Sequence, residues 1–260
     1  MKSDFRKAGR EQAPKQQMIF GVHPIEEALK RGTPIDKVLV QQGLQLVQLR
    51  ELRKALEQEG VPVQMVPREK LDRLCKGKHQ GLIAFVSAVD FQPLEEILNR
   101  VWESGKDPFF LILDRVTDVR NFGAICRTAV CAGLDAVIIP SRGAAQIGGD
   151  AIKTSAGALL NLPVCRSENL KSTIELLKTS GIRIVAITEK ADGHLFNTPI
   201  EGPVCLILGS EEDGISQEYL RRSDLKLAIP MHGSTGSLNV SVAAALALYE
   251  VLRQRQKPVK

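Results

Sequence analysis

Three clusters of polar side chains interrupt apolar sequence in the C-terminal half of this chain. Asn121 and Arg127 lie in DRVTDVRNFGAICRTA (Asp114–Ala129), Glu211 in LGSEEDG (Leu208–Gly214), and Ser237 and Asn239 in IPMHGSTGSLNVSVAAALALYE (Ile229–Glu250). Amides, a guanidinium, a carboxylate and a hydroxyl are groups that orient a reactant and stabilise developing charge. They form no nucleophile–base pair and no metal-ligand set. The chain also lacks a GxGxxG fingerprint, a Walker loop, an HExxH helix and a GxSxG elbow. Spacing alone therefore says α/β enzyme, class undecided.

Each cluster sits where a strand ends and the chain turns. Near-continuous apolar runs at Phe109–Asp114, Asp135–Pro140, Arg183–Thr188, Pro203–Gly209 and Leu225–Pro230 predict strands of a parallel sheet covered on both faces. Helices are expected between them, at about 122–132, 149–159, 168–179, 215–222 and 238–255. A ligand belongs beyond the carboxyl ends of such strands, where the clusters fall. Asn121 is expected to cap the first of these helices, and Ser237 the last. Arg127 comes about two turns into a helix of Ala, Ile, Val and Cys, and is expected to be paired or functional. The bland alternative is an arginine reaching out to solvent. Gly209, at a strand end, suits close approach of a ligand. The last helix is apolar on nearly every face and must be covered on several sides, by the sheet and by another subunit.

Residues 18–88 show a second, shorter alternation. Helices are expected at Pro24–Arg31, Leu46–Glu59 and Arg68–Cys75, and strands at Ile35–Val40, Val61–Val66 and Leu82–Val86, making a small α/β domain. Basic residues gather in RLCKGKH (Arg73–His79), where an RNA phosphate could sit; a charged surface loop is the default reading. Residues 1–17 carry five basic and two acidic residues and read as a disordered basic tail. Residues 89–107, with a helix-like stretch at Leu94–Glu103, read as the connection, and 108–257 as the larger domain.

Composition narrows the class further. The 260 residues are 43% hydrophobic and 25% charged, as in an ordinary soluble protein. A net charge of +5 and a pI of about 9.0 lean towards an anionic partner, nucleic acid being the commonest. Aromatics at 4% argue against recognition by rows of stacking rings. Five cysteines without a CxxC pair read as reduced, buried small hydrophobes, with neither a disulfide frame nor zinc. No run has the length of a membrane span, so a cytoplasmic protein is expected.

NFGAICR (Asn121–Arg127), LGSE (Leu208–Glu211) and IPM (Ile229–Met231) followed by SLNVSVA (Ser237–Ala243) closely resemble the three ordered motifs of the SpoU (TrmH) family of RNA ribose 2′-O-methyltransferases. The SAGA run (Ser155–Ala158) also looks like that family; Glu212 departs from it, standing where glycine is usual. The resemblance covers about 109–255. It implies a C-terminal parallel-sheet α/β domain with a deep trefoil knot (SPOUT type), preceded by a ribosomal-protein-like RNA-binding domain. It implies S-adenosylmethionine (AdoMet) as methyl donor, held by backbone at Gly209, Ile229 and Leu238, with no metal. It implies that Asn121, Arg127, Glu211, Ser237 and Asn239 surround the reacting ribose, and that the enzyme is a homodimer. The substrate it implies is a guanosine of large-subunit (23S) ribosomal RNA. The alternatives are tRNA, methylation conferring resistance to a ribosome-targeting antibiotic, and a non-catalytic RNA-binding assembly factor.

Overall fold

A computed structural model describes residues 18–44, 49–191, 193–233 and 236–256. The basic tail expected over 1–17, part of the Leu46–Glu59 helix and part of the His232–Gly236 loop lie outside the described residues.

The N-terminal unit is built on β1 (Met18–Phe20), β2 (Ile35–Gln41), β3 (Val63–Val66) and β4 (Leu82–Val86), in the order β1-β4-β2-β3. β4 runs antiparallel to both β1 and β2, whereas β2 and β3 are parallel. Residues along β2 divide between the two faces, as the period of two in a strand requires. Val38 and Val40 join Ile25 of α1 (Val22–Lys30) and Leu52 and Leu56 of α2 (Leu49–Gln58). Leu39 joins Leu71 of α3 (Arg68–Leu74) on the other face, with Ile83 and Phe85.

The C-terminal unit is a seven-stranded sheet with neighbouring strands parallel. Its strands are β5 (Phe109–Asp114), β6 (Ala136–Pro140), β7 (Val164–Ser167), β8 (Arg183–Ile187), β9 (Gly193–His194), β10 (Val204–Gly209) and β11 (Leu225–Ala228), ordered β7-β6-β5-β10-β8-β11-β9. Every residue of β5 is buried. Phe109, Leu111 and Leu113 face one layer, formed by α5 (Val119–Cys131), α6 (Gly149–Thr154) and α9 (Val240–Arg255). Phe110 and Ile112 face the other, formed by α4 (Leu94–Glu103), α7 (Leu170–Thr179) and α8 (Gln217–Arg222). Burying each such side chain is worth about 1.5–3 kcal/mol, which accounts for the unbroken apolar runs. Segment 89–107 is thus partly a sheet-covering helix, with Leu94, Ile97, Leu98 and Val101 of α4 in the core.

Strand order also shapes the site. β10 inserts between β5 and β8, although β8 precedes it in the chain. After β11 the chain returns across the sheet so that α9 packs on α5. Gly123 permits α5 to approach α6: a Cβ there would lie 2.7 Å from Thr154 Cβ and 3.0 Å from the Ala151 carbonyl.

The two units are fastened at one seam. Arg166, at the end of β7, donates to Asp36 Oδ1 (2.9 Å) and to the Ile35 carbonyl (3.2 Å), and its guanidinium lies 3.6 Å from the Phe91 ring centre. Burial pushes the Asp36 carboxyl up and the Arg166 guanidinium down, while the attraction between them opposes both shifts. Among the described residues no helix is long and apolar enough to cross a membrane.

Candidate active site

Strand β10 ends at Gly209 and the chain doubles back at once. Gly214 N–H donates to the Ser210 carbonyl (3.0 Å) and Asp213 N–H to Ser210 Oγ (3.1 Å). A Cβ on residue 209 would overlap the backbone of Gly214 and Ile215. The close approach expected at Gly209 is therefore made by the protein's own turn, and glycine is required for that reason.

This turn is clamped from the neighbouring strand. Arg115, just past β5, donates to Asp213 Oδ2 (2.8 Å), the Gly214 carbonyl (3.1 Å) and Asp114 Oδ1 (3.1 Å). Its φ of 59° lies in the left-handed region, which costs a side-chain-bearing residue energy. Asp114, only 2% exposed, also accepts from Ser216 N–H (2.7 Å) and Ser216 Oγ (2.8 Å). The hydrogen bond that Arg115 donates to Asp114, outweighing partial desolvation, holds its guanidinium above its ordinary value.

The clamped turn presents Glu211 to two helix starts. Glu211 Oε1 accepts from Asn121 Nδ2 (3.1 Å), from Val240 N–H (3.3 Å) and from Asn239 Nδ2. Asn239 Nδ2 also donates to Asn121 Oδ1 (3.0 Å), closing a ring of three side chains. A carboxylate at the N-terminus of α9 also suits the helix dipole.

The caps differ from those expected. Asp118, not Asn121, caps α5 by accepting from Asn121 N–H (2.8 Å). Asn121 is thereby left in the first turn with its amide free to reach Glu211. Asn239, not Ser237, caps α9, with Oδ1 accepting from Ser241 N–H (2.9 Å). Ser237 is exposed before the cap, on the wall of the cleft.

A cleft of about 360 Å³ opens beside this ring, a size suited to a small-molecule ligand. Leu208, Ile229, Leu238 and Val240 supply apolar wall, and Glu189, Glu211, Glu212 and Asp213 supply carboxylates. Gly209, Ile229 and Leu238 all line it. Apolar walls suit a purine ring, and carboxylates suit a sulfonium or ammonium cation. The donor set therefore fits AdoMet. Glu212, the departure from the motif, is an exposed residue of the same wall. A larger hollow, about 760 Å³, lies against α2 and β3, and none of the motif residues lines it.

Arg127 stands apart. It is exposed and makes no ion pair among the described residues. Six residues beyond Asn121, it is about 120° round the helix from it. The small neighbours on α5 are buried on its other faces, so this arginine reaches solvent and is neither buried nor paired among the described residues.

Asp114, Arg115, Asp118 and Ser216 are site-shaping residues that motif reading passes over. Asp118 carried a signal, since an acid three residues before Asn121 is an ordinary cap. The positive φ of Arg115 carried none.

A model of the SpoU rRNA methylase family matches residues 108–249, and one for the RNA 2′-O-ribose methyltransferase substrate-binding domain matches residues 18–92. A Bacillus subtilis protein, YacO, assigned to the TrmH family of tRNA/rRNA methyltransferases, is 35% identical over 91% of this chain and 95% of its own length. The SpoU methyltransferase AviRb of Streptomyces viridochromogenes, solved with AdoMet, is 27% identical, with a TM-score of 0.58 over 92% of this chain and 90% of that one. The TrmH/SpoU tRNA-modifying enzyme of A. aeolicus is 28% identical, with a TM-score of 0.52 over 62% of this chain and 84% of that one. The motifs, the two-unit α/β architecture and these matches agree: the chain belongs to the SpoU/TrmH family of AdoMet-dependent RNA ribose 2′-O-methyltransferases.

Proposed function

We propose that this enzyme methylates the ribose 2′-hydroxyl of a guanosine in large-subunit (23S) ribosomal RNA. The observation that carries the assignment of the reacting centre is the ring of Asn121, Glu211 and Asn239 at the mouth of the cleft. AdoMet fits that cleft, with backbone at Gly209, Ile229 and Leu238 as its holding points. When bound, it supplies an electrophilic methyl group on a sulfonium.

The protein's part is positioning and charge stabilisation. Glu211 fixes the amides of Asn121 and Asn239, and those amides, with the Ser237 hydroxyl, orient the ribose. Arg127, which stands away from the ring of its own chain, would meet the developing alkoxide or the adjoining phosphate at the boundary between the two subunits of a homodimer. A guanidinium holds its proton too tightly to serve as a base, so its role is stabilisation, and the proton leaves through phosphate or water. Arg127→Lys is expected to lose most of its turnover at saturating RNA, because lysine lacks the planar fork. Near-normal turnover would refute that role.

A homodimer belongs to this reading. Val242 and Tyr249 lie seven residues apart on one face of α9, 47% and 48% exposed, and α9 packs on the helix that carries Arg127. Pairing two copies there covers the apolar face and puts Arg127 near the subunit boundary. We also read the return of α9 across β10 as the trefoil knot of the fold, and the cytoplasm as the site of action.

Ribosomal RNA is favoured over tRNA by the N-terminal unit, since the A. aeolicus tRNA enzyme aligns with 62% of this chain. The test is tritium transfer from labelled AdoMet, combined with mapping of 2′-O-methyl sites in RNA from cells with and without the protein. The expected result is one site in 23S rRNA, lost at least about tenfold in Glu211→Gln. Label confined to tRNA would overturn the rRNA assignment. RNA binding without transfer would indicate an assembly factor.

A further inference from the structure

We propose that the loop joining α3 to β4, together with Phe20 beside it, is a contact site for unpaired RNA. Lys76 and Lys78 take backbone phosphates, and the Phe20 ring takes the face of a base. The proposal rests on RNA being the substrate and names a surface of the N-terminal unit that grips it.

The loop is built to be held still. His79 is 5% exposed at its base, and both ring nitrogens are engaged. Nδ1 accepts from Gly81 N–H (3.0 Å), which places the proton on Nε2, donated to Asp72 Oδ1 (2.8 Å). His79 N–H donates to the Gly77 carbonyl (2.9 Å), and Leu82 N–H to the His79 carbonyl (2.8 Å). Gln80, at a left-handed φ of 51°, accepts from Val22 N–H through Oε1 (3.3 Å), tying the loop to the start of α1, just past β1.

Lys76 and Lys78 project from this frame, both exposed and without an ion pair among the described residues. The acid nearest in sequence, Asp72, is engaged by His79 and by Arg68 (3.6 Å). Between the lysines, Gly77 lies against the Phe20 ring: a Cβ there would come within 2.9 Å of Phe20 Cε2. Glycine thus lets an aromatic ring sit beside a cationic loop. Phe20 closes the edge strand β1 and is 40% exposed, in a chain with only 4% aromatics. A solvated charged loop explains the lysines but not the buried histidine latch, nor the ring held beside it. A stacking ring flanked by cations is the arrangement that binds single-stranded nucleic acid.

The test uses the full chain and a fluorescein-labelled oligouridylate of about 12 nucleotides, long enough to cross one such site. Dissociation constants are measured by anisotropy at several KCl concentrations. In Lys76→Gln/Lys78→Gln, the slope of log K against log[KCl] is expected to shrink by about 1.4, or about 0.7 for each single-strand phosphate lost. Phe20→Leu keeps the contact with Gly77 but offers no ring face. It is expected to weaken binding about tenfold with the slope unchanged. Neither variant touches the cleft, so both should keep wild-type turnover at saturating RNA and show only a raised KM for RNA. An unchanged salt slope in the lysine pair, or wild-type affinity in Phe20→Leu, would overturn the proposal. Failure of the wild-type protein to methylate any RNA would count against the assigned function, while the oligonucleotide result would still judge the loop.

Discussion

Replacing Arg115 separates two opposing effects at the rim of the cleft. The residue stands at φ 59° and holds the 210–214 turn through Asp213 and Gly214 while pairing with buried Asp114. Charge-assisted hydrogen bonds of this kind contribute about 1.5–3 kcal/mol, and we take about 2 kcal/mol because the side chain is 37% exposed. The left-handed conformation costs about 1.5 kcal/mol for any residue with a Cβ. Arg115→Ala removes the clamp and keeps the strain, a loss of about 2 kcal/mol. Arg115→Gly removes both, and glycine's extra freedom in the unfolded chain returns about 0.5 kcal/mol of the relief, so the net loss is about 1 kcal/mol. At about 2–4 °C per kcal/mol for a chain of this size, the alanine variant should melt about 6 °C below wild type and the glycine variant about 3 °C below. If half of the clamp energy serves to hold the turn in its binding shape, KM for AdoMet rises about fivefold in both variants. Differential scanning calorimetry and initial-rate kinetics read the two effects separately. Equal melting temperatures for the two variants would refute the strain. An unchanged KM in both would refute the clamp.

Other consequences follow from the seam and from α9. Asp36→Asn leaves Arg166 buried without its hydrogen-bonded carboxylate, with only the more distant charge of Glu168, and should cost about 3 kcal/mol in urea unfolding, whereas Asp36→Leu/Arg166→Met should recover most of it; a double variant as unstable as the single would contradict the pairing. Glu250, 5% exposed on α9, is held below its ordinary 4.5 chiefly by the hydrogen bond from Arg253, against its desolvation. A lowered carboxyl contributes stability above its unfolded pKa and loses it as pH falls through the folded value. Melting temperature measured from about pH 6 to pH 3 should therefore fall less steeply in Glu250→Gln than in wild type.

Where packing dominates, sequence pattern was enough. Leu94–Glu103 and Phe109–Asp114 occupy the helix and strand expected of them, residue for residue, because unbroken apolar runs in a doubly covered sheet leave one arrangement that buries them. Short elements escaped: β1 has three residues, and β7 contains Arg166, whose burial depends on Asp36, 130 positions away. The site divides the same way. Motif spacing named Asn121, Glu211 and Asn239, and the fold brings those three together. Spacing could not say which polar residue caps which helix, since Asp118 and Asn121, or Ser237 and Asn239, each meet the local rule. The choice is made across the fold: Glu211 accepts from Asn121 and from Asn239, and with Asp118 already on the backbone, the Asn121 amide is available to it. Arg127 shows the converse. On a helix of small residues every face looks alike in sequence, so its exposure depends on where α6 and α9 cover α5. A cap is decided by its competitors and an exposed charge by its neighbours' packing, and both are properties of contacts made far along the chain.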